Sequence, residues 1–152
     1  MQLTPHFSLR ELTRSSTAER LRLDNTPGAA DLDALRQTAE LLERVRTHLG
    51  GHPVTVTSGY RSPAVNRAVG GVTSSDHARG QAADIVVPGY GSPYDVAKSL
   101  APQVSVLGIG QLIYESVGGK TWVHVSTRVP SKPVNRVITI TGAGAQLGIQ
   151  RV

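Results

Sequence analysis

His77, Asp84 and His124 are the residues whose types and spacing could carry chemistry. His77 stands in the run Ser74-Ser75-Asp76-His77-Ala78-Arg79-Gly80-Gln81-Ala82-Ala83-Asp84, which leads straight into Ile85-Val86-Val87. A carboxylate at the mouth of such an apolar strand is costly unless something pairs with it. A metal ion is one such partner; Arg61 or Arg79 is another. His124 stands in Trp122-Val123-His124-Val125-Ser126. Strand alternation puts Trp122, His124 and Ser126 on one face and the two valines on the other. Each residue alone is more often structural than functional. Together, two imidazoles and one carboxylate make the open three-ligand set of a catalytic zinc site. His6, His48 and His52 lie in polar segments and read as surface residues.

The elements that must position these groups follow from periodicity and caps. Ser8 with Glu11 is a capping box, and Phe7 with Leu12 fits a hydrophobic staple, so a helix starts near residue 9. Residues 15–28 are polar and read as a loop. Leu32, Leu35, Ala39, Leu42, Val45 and Leu49 recur every three or four residues and form one helical stripe, stopped by Gly50-Gly51. That stripe should bury against a sheet. Val54 and Val56 alternate with threonines in a short strand. Ser62-Pro63 caps a helix that ends at Gly70-Gly71, and residues 71–80 form a Ser- and Gly-rich loop. Ala82–Val87 is a buried strand closed by Pro88. Ser92-Pro93 caps a further helix that ends near Pro102. Gln111–Glu115 and Trp122–Ser126 read as strands joined through Gly118-Gly119, a hairpin signal. Val134–Thr141 is a last strand. Helices in the first half and strands in the second imply an α+β fold with a small, mostly antiparallel sheet packed against helices.

At 152 residues the chain suits one compact core, so residues 1–152 are expected to form a single domain. The absence of cysteine excludes disulfide scaffolds, thiolate metal sites and thiol nucleophiles. Any metal must be held by histidines and carboxylates. No stretch approaches the roughly 20 apolar residues of a membrane span. The start of the chain has no basic segment followed by an apolar run, so a secretory signal is not expected. Residues 1–115 balance at 11 basic and 11 acidic side chains. Beyond Glu115 there are Lys120, Arg128, Lys132, Arg136 and Arg151 but no acid, so the whole net charge of +5 sits on the last 37 residues. Such a field attracts an anionic envelope, or serves solubility alone. With six aromatic residues and no helix–turn–helix, a nucleic-acid binder is disfavoured.

Three blocks carry a family resemblance: Ser58-Gly59-Tyr60-Arg61-Ser62, then Ser75-x-His77-x-x-Gly80-x-Ala82-x-Asp84, then Trp122-Val123-His124-Val125-Ser126. In this order they resemble the zinc peptidases that cut bacterial peptidoglycan. That family includes D-Ala-D-Ala carboxypeptidases and dipeptidases and the L-Ala-D-Glu endopeptidases among phage endolysins. The resemblance implies a hedgehog/DD-peptidase-like fold, with zinc on His77, Asp84 and His124. It implies that Arg61 contacts substrate oxygens, with Ser75 beside it; a guanidinium fork can grip a carboxylate or a developing oxyanion. From the residues alone, Arg61 reads equally as an ion-pair partner of Asp84 or Asp76.

The sequence departs from the family pattern at the general base. Where many relatives have Glu or Asp three residues before the second zinc histidine, this chain has Thr121. Where others have His two residues before it, the chain has Trp122. A two-residue turn at Gly118-Gly119 would set Ile113 opposite His124 and Glu115 opposite Trp122. Glu115 then shares the face of His124 and becomes the candidate base; a one-residue slip would send it to the other face. The expected function is a zinc peptidase of the peptidoglycan stem peptide, with L-Ala-D-Glu cleavage favoured and D-Ala-D-Ala cleavage next. A phage or prophage endolysin, held in the cytoplasm until released to the wall and acting as a monomer, fits these features. The alternative is a non-catalytic, zinc-containing wall-binding or virion protein of the same fold. Neither stable nucleic-acid binding nor membrane insertion is expected.

Overall fold

The computed structural model describes residues 1–152. Two short paired strands, β1 (Gln2–Thr4) and β2 (Phe7–Ser8), lead into helix α1 (Leu9–Thr13). The Ser8–Glu11 capping box forms, and Phe7 and Leu12 are both buried. Residues 15–28 are not all loop: Ser16–Leu21 form helix α2, with the Ser15 hydroxyl accepting from the amide of Ala18 and Arg22 closing the helix in the left-handed region. A local cap and one buried alanine suffice for six residues, too few to show a period.

Helix α3 (Ala29–His48) is the scaffold of the first half. Leu35, Ala39, Leu42, Val45 and the following Leu49 are buried, as the stripe predicts, and Thr38 and Leu41 join them. Strand β3 (Thr55–Ser58) and helix α4 (Pro63–Ala68) follow, the latter capped by Ser62 with Pro63 in its first turn. A single 3-10 turn over Asp76–Arg79 interrupts the loop before β4 (Ala82–Val86). Helix α5 (Pro93–Leu100) carries the Ser92 cap; beyond Pro102 the chain winds once more in α6 (Val104–Leu107).

Strands β5 (Gln111–Val117), β6 (Lys120–Ser126), β7 (Val137–Thr141) and β8 (Gly144–Leu147) complete a six-stranded sheet of order β3-β4-β6-β5-β7-β8. Every neighbouring pair is antiparallel except β5 with β7. Pro133 starts a 3-10 turn over Pro133–Arg136, so β7 begins three residues later than its apolar pattern indicates, and it is not the last strand, because the exposed β8 pairs with it. The β5–β6 hairpin turns through Gly118 and Gly119 at φ 62° and 77°. Two positive φ values in succession define the tight turn whose twist suits a hairpin, and glycine adopts them without strain.

One face of the sheet belongs to the core. Ile85, Val123 and Val125 are fully buried there with Leu35, Leu42, Val45, Val96 and Leu100 from the helices. The residues that alternate with them, Asp84 and His124, therefore stand on the opposite face. The segment over residues 59–81, which contains α4 and the 3-10 turn, brings His77 to that face. This division lets one sheet carry an apolar core and a polar site one residue apart.

Candidate metal centre

Asp84 and His124 are direct partners across the β4–β6 ladder. Nδ1 of His124 lies 3.1 Å from Oδ1 of Asp84. His77 arrives from the 3-10 turn, and its Nε2 lies 3.3 Å from the same oxygen. The three donor atoms fall within 4.8 Å of one another, and both histidines are buried.

The arrangement fits a metal ion on two counts. Tetrahedral zinc with donors at about 2.0–2.1 Å separates them by about 3.3 Å, close to both observed contacts. In addition, His77 donates its Nδ1 proton to the carbonyl of Gly59 at 2.8 Å. That commitment leaves Nε2 as the nitrogen that faces the Asp84 oxygen, where a cation shared between the two would sit. An outward hydrogen bond of this kind is how metal-binding imidazoles are held in one tautomer. Burial raises the Asp84 carboxyl, but the His77 charge and hydrogen bonds from His124 and His77 outweigh it, so Asp84 titrates below the ordinary range. Burial lowers His124, but Asp84, with help from Glu115 and Asp76, raises it above its ordinary value. The site is thus strongly attractive to positive charge.

Arg61 follows the Gly59 carbonyl by two residues. Its amide donates to the His77 carbonyl at 3.0 Å, and its Nη2 donates to the Ser75 hydroxyl at 3.1 Å. Ser75 also caps the turn by accepting from the His77 amide at 3.3 Å. Arg61 makes no ion pair, and its Nε is buried without a partner. Of the two acids it could have paired with, Asp76 is taken by Arg128 and Asp84 by the histidines. Burial holds the Arg61 pKa below its ordinary value, against the pull of Asp84 and Glu115.

Glu115 is on β5, opposite Trp122, while Ile113 is opposite His124. The register therefore places Glu115 on the face of His124. Burial and the Asp84 charge raise its carboxyl; His124, His77 and Arg61 pull it back. The indole Nε1 of Trp122 is buried there without a partner. His6, His48 and His52 lie elsewhere: His6 pairs with Glu43, His48 meets Ser99, and His52 packs edge-on to Tyr90.

Sequence reasoning missed two parts of this centre. The Gly59 carbonyl is main chain and carries no residue-type signal beyond its place in the Ser58–Ser62 block. Asp76 and Arg128 meet across 52 positions of chain, where only an unpaired acid beside His77 hinted at a partner.

Two imidazoles and a carboxylate whose donor atoms lie within 4.8 Å of one another form a candidate mononuclear metal centre. The family model described as Peptidase M15 matches residues 5–126, from the opening hairpin to the end of β6. No curated protein matches the chain. The match covers most of the sequence, and the chain belongs to the Peptidase M15 family of zinc metallopeptidases, with His77, Asp84 and His124 positioned to hold the ion. No helix is long and apolar enough to cross a membrane.

Proposed function

We propose that this peptidase hydrolyses an amide bond in the peptidoglycan stem peptide, as an L-Ala-D-Glu endopeptidase before a D-Ala-D-Ala carboxypeptidase, in the role of a phage or prophage endolysin. Residues 1–152 then act as one zinc peptidase domain. The convergence of His77, Asp84 and His124 beside the unpaired Arg61 carries the reading. The preference for an endopeptidase rests on the need of a lone compact domain of this kind to break cross-linked wall.

Zinc held by His77, Asp84 and His124 would supply Lewis acidity to a water and to the scissile carbonyl. In this reading, Glu115 takes the proton of the attacking water and returns it to the leaving amine. A carboxyl raised by burial is suited to both transfers near neutral pH. Arg61, held by Ser75, binds a substrate carboxylate or the oxyanion that develops at the scissile carbonyl.

The test is mass spectrometry of purified sacculi after incubation with the protein, with chelator, and with chelator followed by zinc. New fragments that vanish with chelator and return with zinc are expected, and their termini identify the bond. Intact sacculi of several chemotypes with zinc bound would replace this reading by a wall-binding one.

A further inference from the structure

We infer that the ion pair between Asp76 and Arg128 is a clamp that sets the spacing of the His77 and His124 metal donors, which makes both of them positioning residues. Nε of Arg128 donates to Oδ1 of Asp76 at 2.5 Å. The Asp76 side chain is only 5% exposed, so its carboxylate has little water to fall back on. Asp76 immediately precedes His77, and Arg128 lies two residues beyond β6, the strand that carries His124. The pair therefore joins the same two segments whose separation fixes the metal site.

The backbone around Arg128 is built to hold this course. The Ser126 hydroxyl donates to the Arg128 carbonyl at 3.0 Å, and the Thr127 amide donates to the Gln81 carbonyl at 2.9 Å. Gln81 in turn donates its amide to the Asp76 carbonyl at 2.9 Å, closing a ring of contacts between turn and strand end. Gly110 passes beneath: a Cβ there would lie 2.4 Å from the Arg128 carbonyl oxygen, so only glycine admits the chain at this depth. Arg128 is also beyond the residues matched by the family model, which end at Ser126. The Arg128 half of the clamp thus lies outside the matched residues, while Asp76 lies within them. It leaves Asp76 satisfied and so keeps Arg61 free of it.

A clamp and a simple charge effect predict different signs. Removing a negative charge beside a cation weakens metal binding, and removing a positive charge strengthens it. Loss of a clamp weakens it either way. The experiment measures zinc dissociation from Asp76→Asn, Arg128→Gln, Arg128→Lys and the Asp76→Asn/Arg128→Gln double variant, by competition with a chromophoric chelator. Asp76→Asn and Arg128→Gln are each expected to weaken zinc about 10-fold or more, the scale of outer-shell losses. The double variant should bind no worse than the weaker single one, because one contact is lost in all three. Arg128→Lys should recover part of the affinity. Cobalt(II) loaded into the folded fraction of each variant should show altered d–d bands for the asparagine and glutamine variants. Tighter zinc in Arg128→Gln, unchanged affinity in both single variants, or strictly additive losses would overturn the clamp. No substrate enters the measurement, so failure of the peptidoglycan reading leaves it standing, and a wild-type protein that bound no zinc would remove it.

Discussion

His77 and Gly59 are joined by a 2.8 Å hydrogen bond from the imidazole Nδ1 to the main-chain carbonyl, and this bond turns Nε2 onto Asp84. One main-chain oxygen thus decides which nitrogen of His77 is available. The same segment continues within two residues to Arg61, whose amide donates to the His77 carbonyl, so donor orientation and the Arg61 guanidinium depend on one stretch of chain. Asp84 and His124 need no such device, because adjacent strands fix them as cross-ladder partners.

The first prediction concerns the metal. Nε2 of His77, Nδ1 of His124 and an Asp84 oxygen converge within 4.8 Å, so the folded state gains from binding a cation among them. At a hundredfold excess over Kd, binding adds about 2.7 kcal/mol, or about 5–10 °C in Tm for a chain of this size. Thermal unfolding of the metal-free protein with and without zinc should show that rise. Asp84→Asn should abolish it by removing the only anionic donor.

Glu115 is tested by a change that keeps its shape. Glu115→Gln preserves the strand and is not among the three donors, so zinc affinity should stay within a few-fold of wild type. Turnover should fall by about 10²–10⁴, the usual contribution of a positioned acid–base group. Single-turnover assays beside a zinc titration separate the two. Full activity in this variant would return the base to an unassigned residue.

How far the sequence carries depends on whether a feature is local. The Ser8–Glu11 box, the α3 stripe and the Ser62 and Ser92 caps are all settled within about twenty residues, and each is read from the chain alone. The Gly118-Gly119 turn is local too, yet it fixes a longer relationship, because a two-residue loop determines that Glu115 opposes Trp122. What escapes is what the fold alone brings together. Asp76 meets Arg128, Arg136 donates to the Ile109 carbonyl, and β7 lies parallel to β5 only after a crossover that no pattern announces. Short polar elements escape as well: α2 has a single buried residue and no period to display.

The proposed substrate role of Arg61 predicts that its removal costs activity and not stability. Its Nε is buried without a partner, and burial already holds its pKa down, so the free protein bears a desolvation cost with incomplete return. Arg61→Met should therefore leave Tm unchanged or higher. Its kcat/KM should drop by about 10²-fold, the scale of losing one oxyanion donor. Arg61→Lys should recover little, since an ammonium cannot reproduce the two-pronged contact. A lysine variant with near-normal kinetics would reduce the role to a point charge.

The basic end of the chain is less free than its charge implies. Arg128 is paired with Asp76, Arg136 donates to Ile109, and the Arg151 guanidinium lies 4.2 Å above the Tyr94 ring. Lys120 and Lys132 are exposed and make no such contact. If this field draws the protein to an anionic wall, binding should weaken as salt rises from about 0.01 to 1 M, which shrinks the Debye length from about 30 to about 3 Å. Lys120→Gln/Lys132→Gln should flatten that dependence in a sedimentation assay with purified walls. A salt dependence left intact in this variant would assign the attraction to other cations.

A pH effect far from the site follows from Glu43. Its carboxylate accepts the His6 amide and faces the His6 Nδ1, both at 2.7 Å, tying the opening hairpin to α3. Burial raises the carboxyl, but the His6 ring and amide outweigh it, so Glu43 titrates below its ordinary 4.5. A group whose folded pKa is depressed binds its proton more readily when unfolded, so protonation favours unfolding. Its contribution is complete above about 4.5 and is lost as pH falls through the lower folded value. Because the pair is partly exposed, the contribution should be about 1 kcal/mol or less. Denaturant unfolding of Glu43→Gln should show a deficit of that size at pH 7, which closes as pH falls below 4.5. A deficit that widens with acid would mean that the charge at Glu43 opposes the fold.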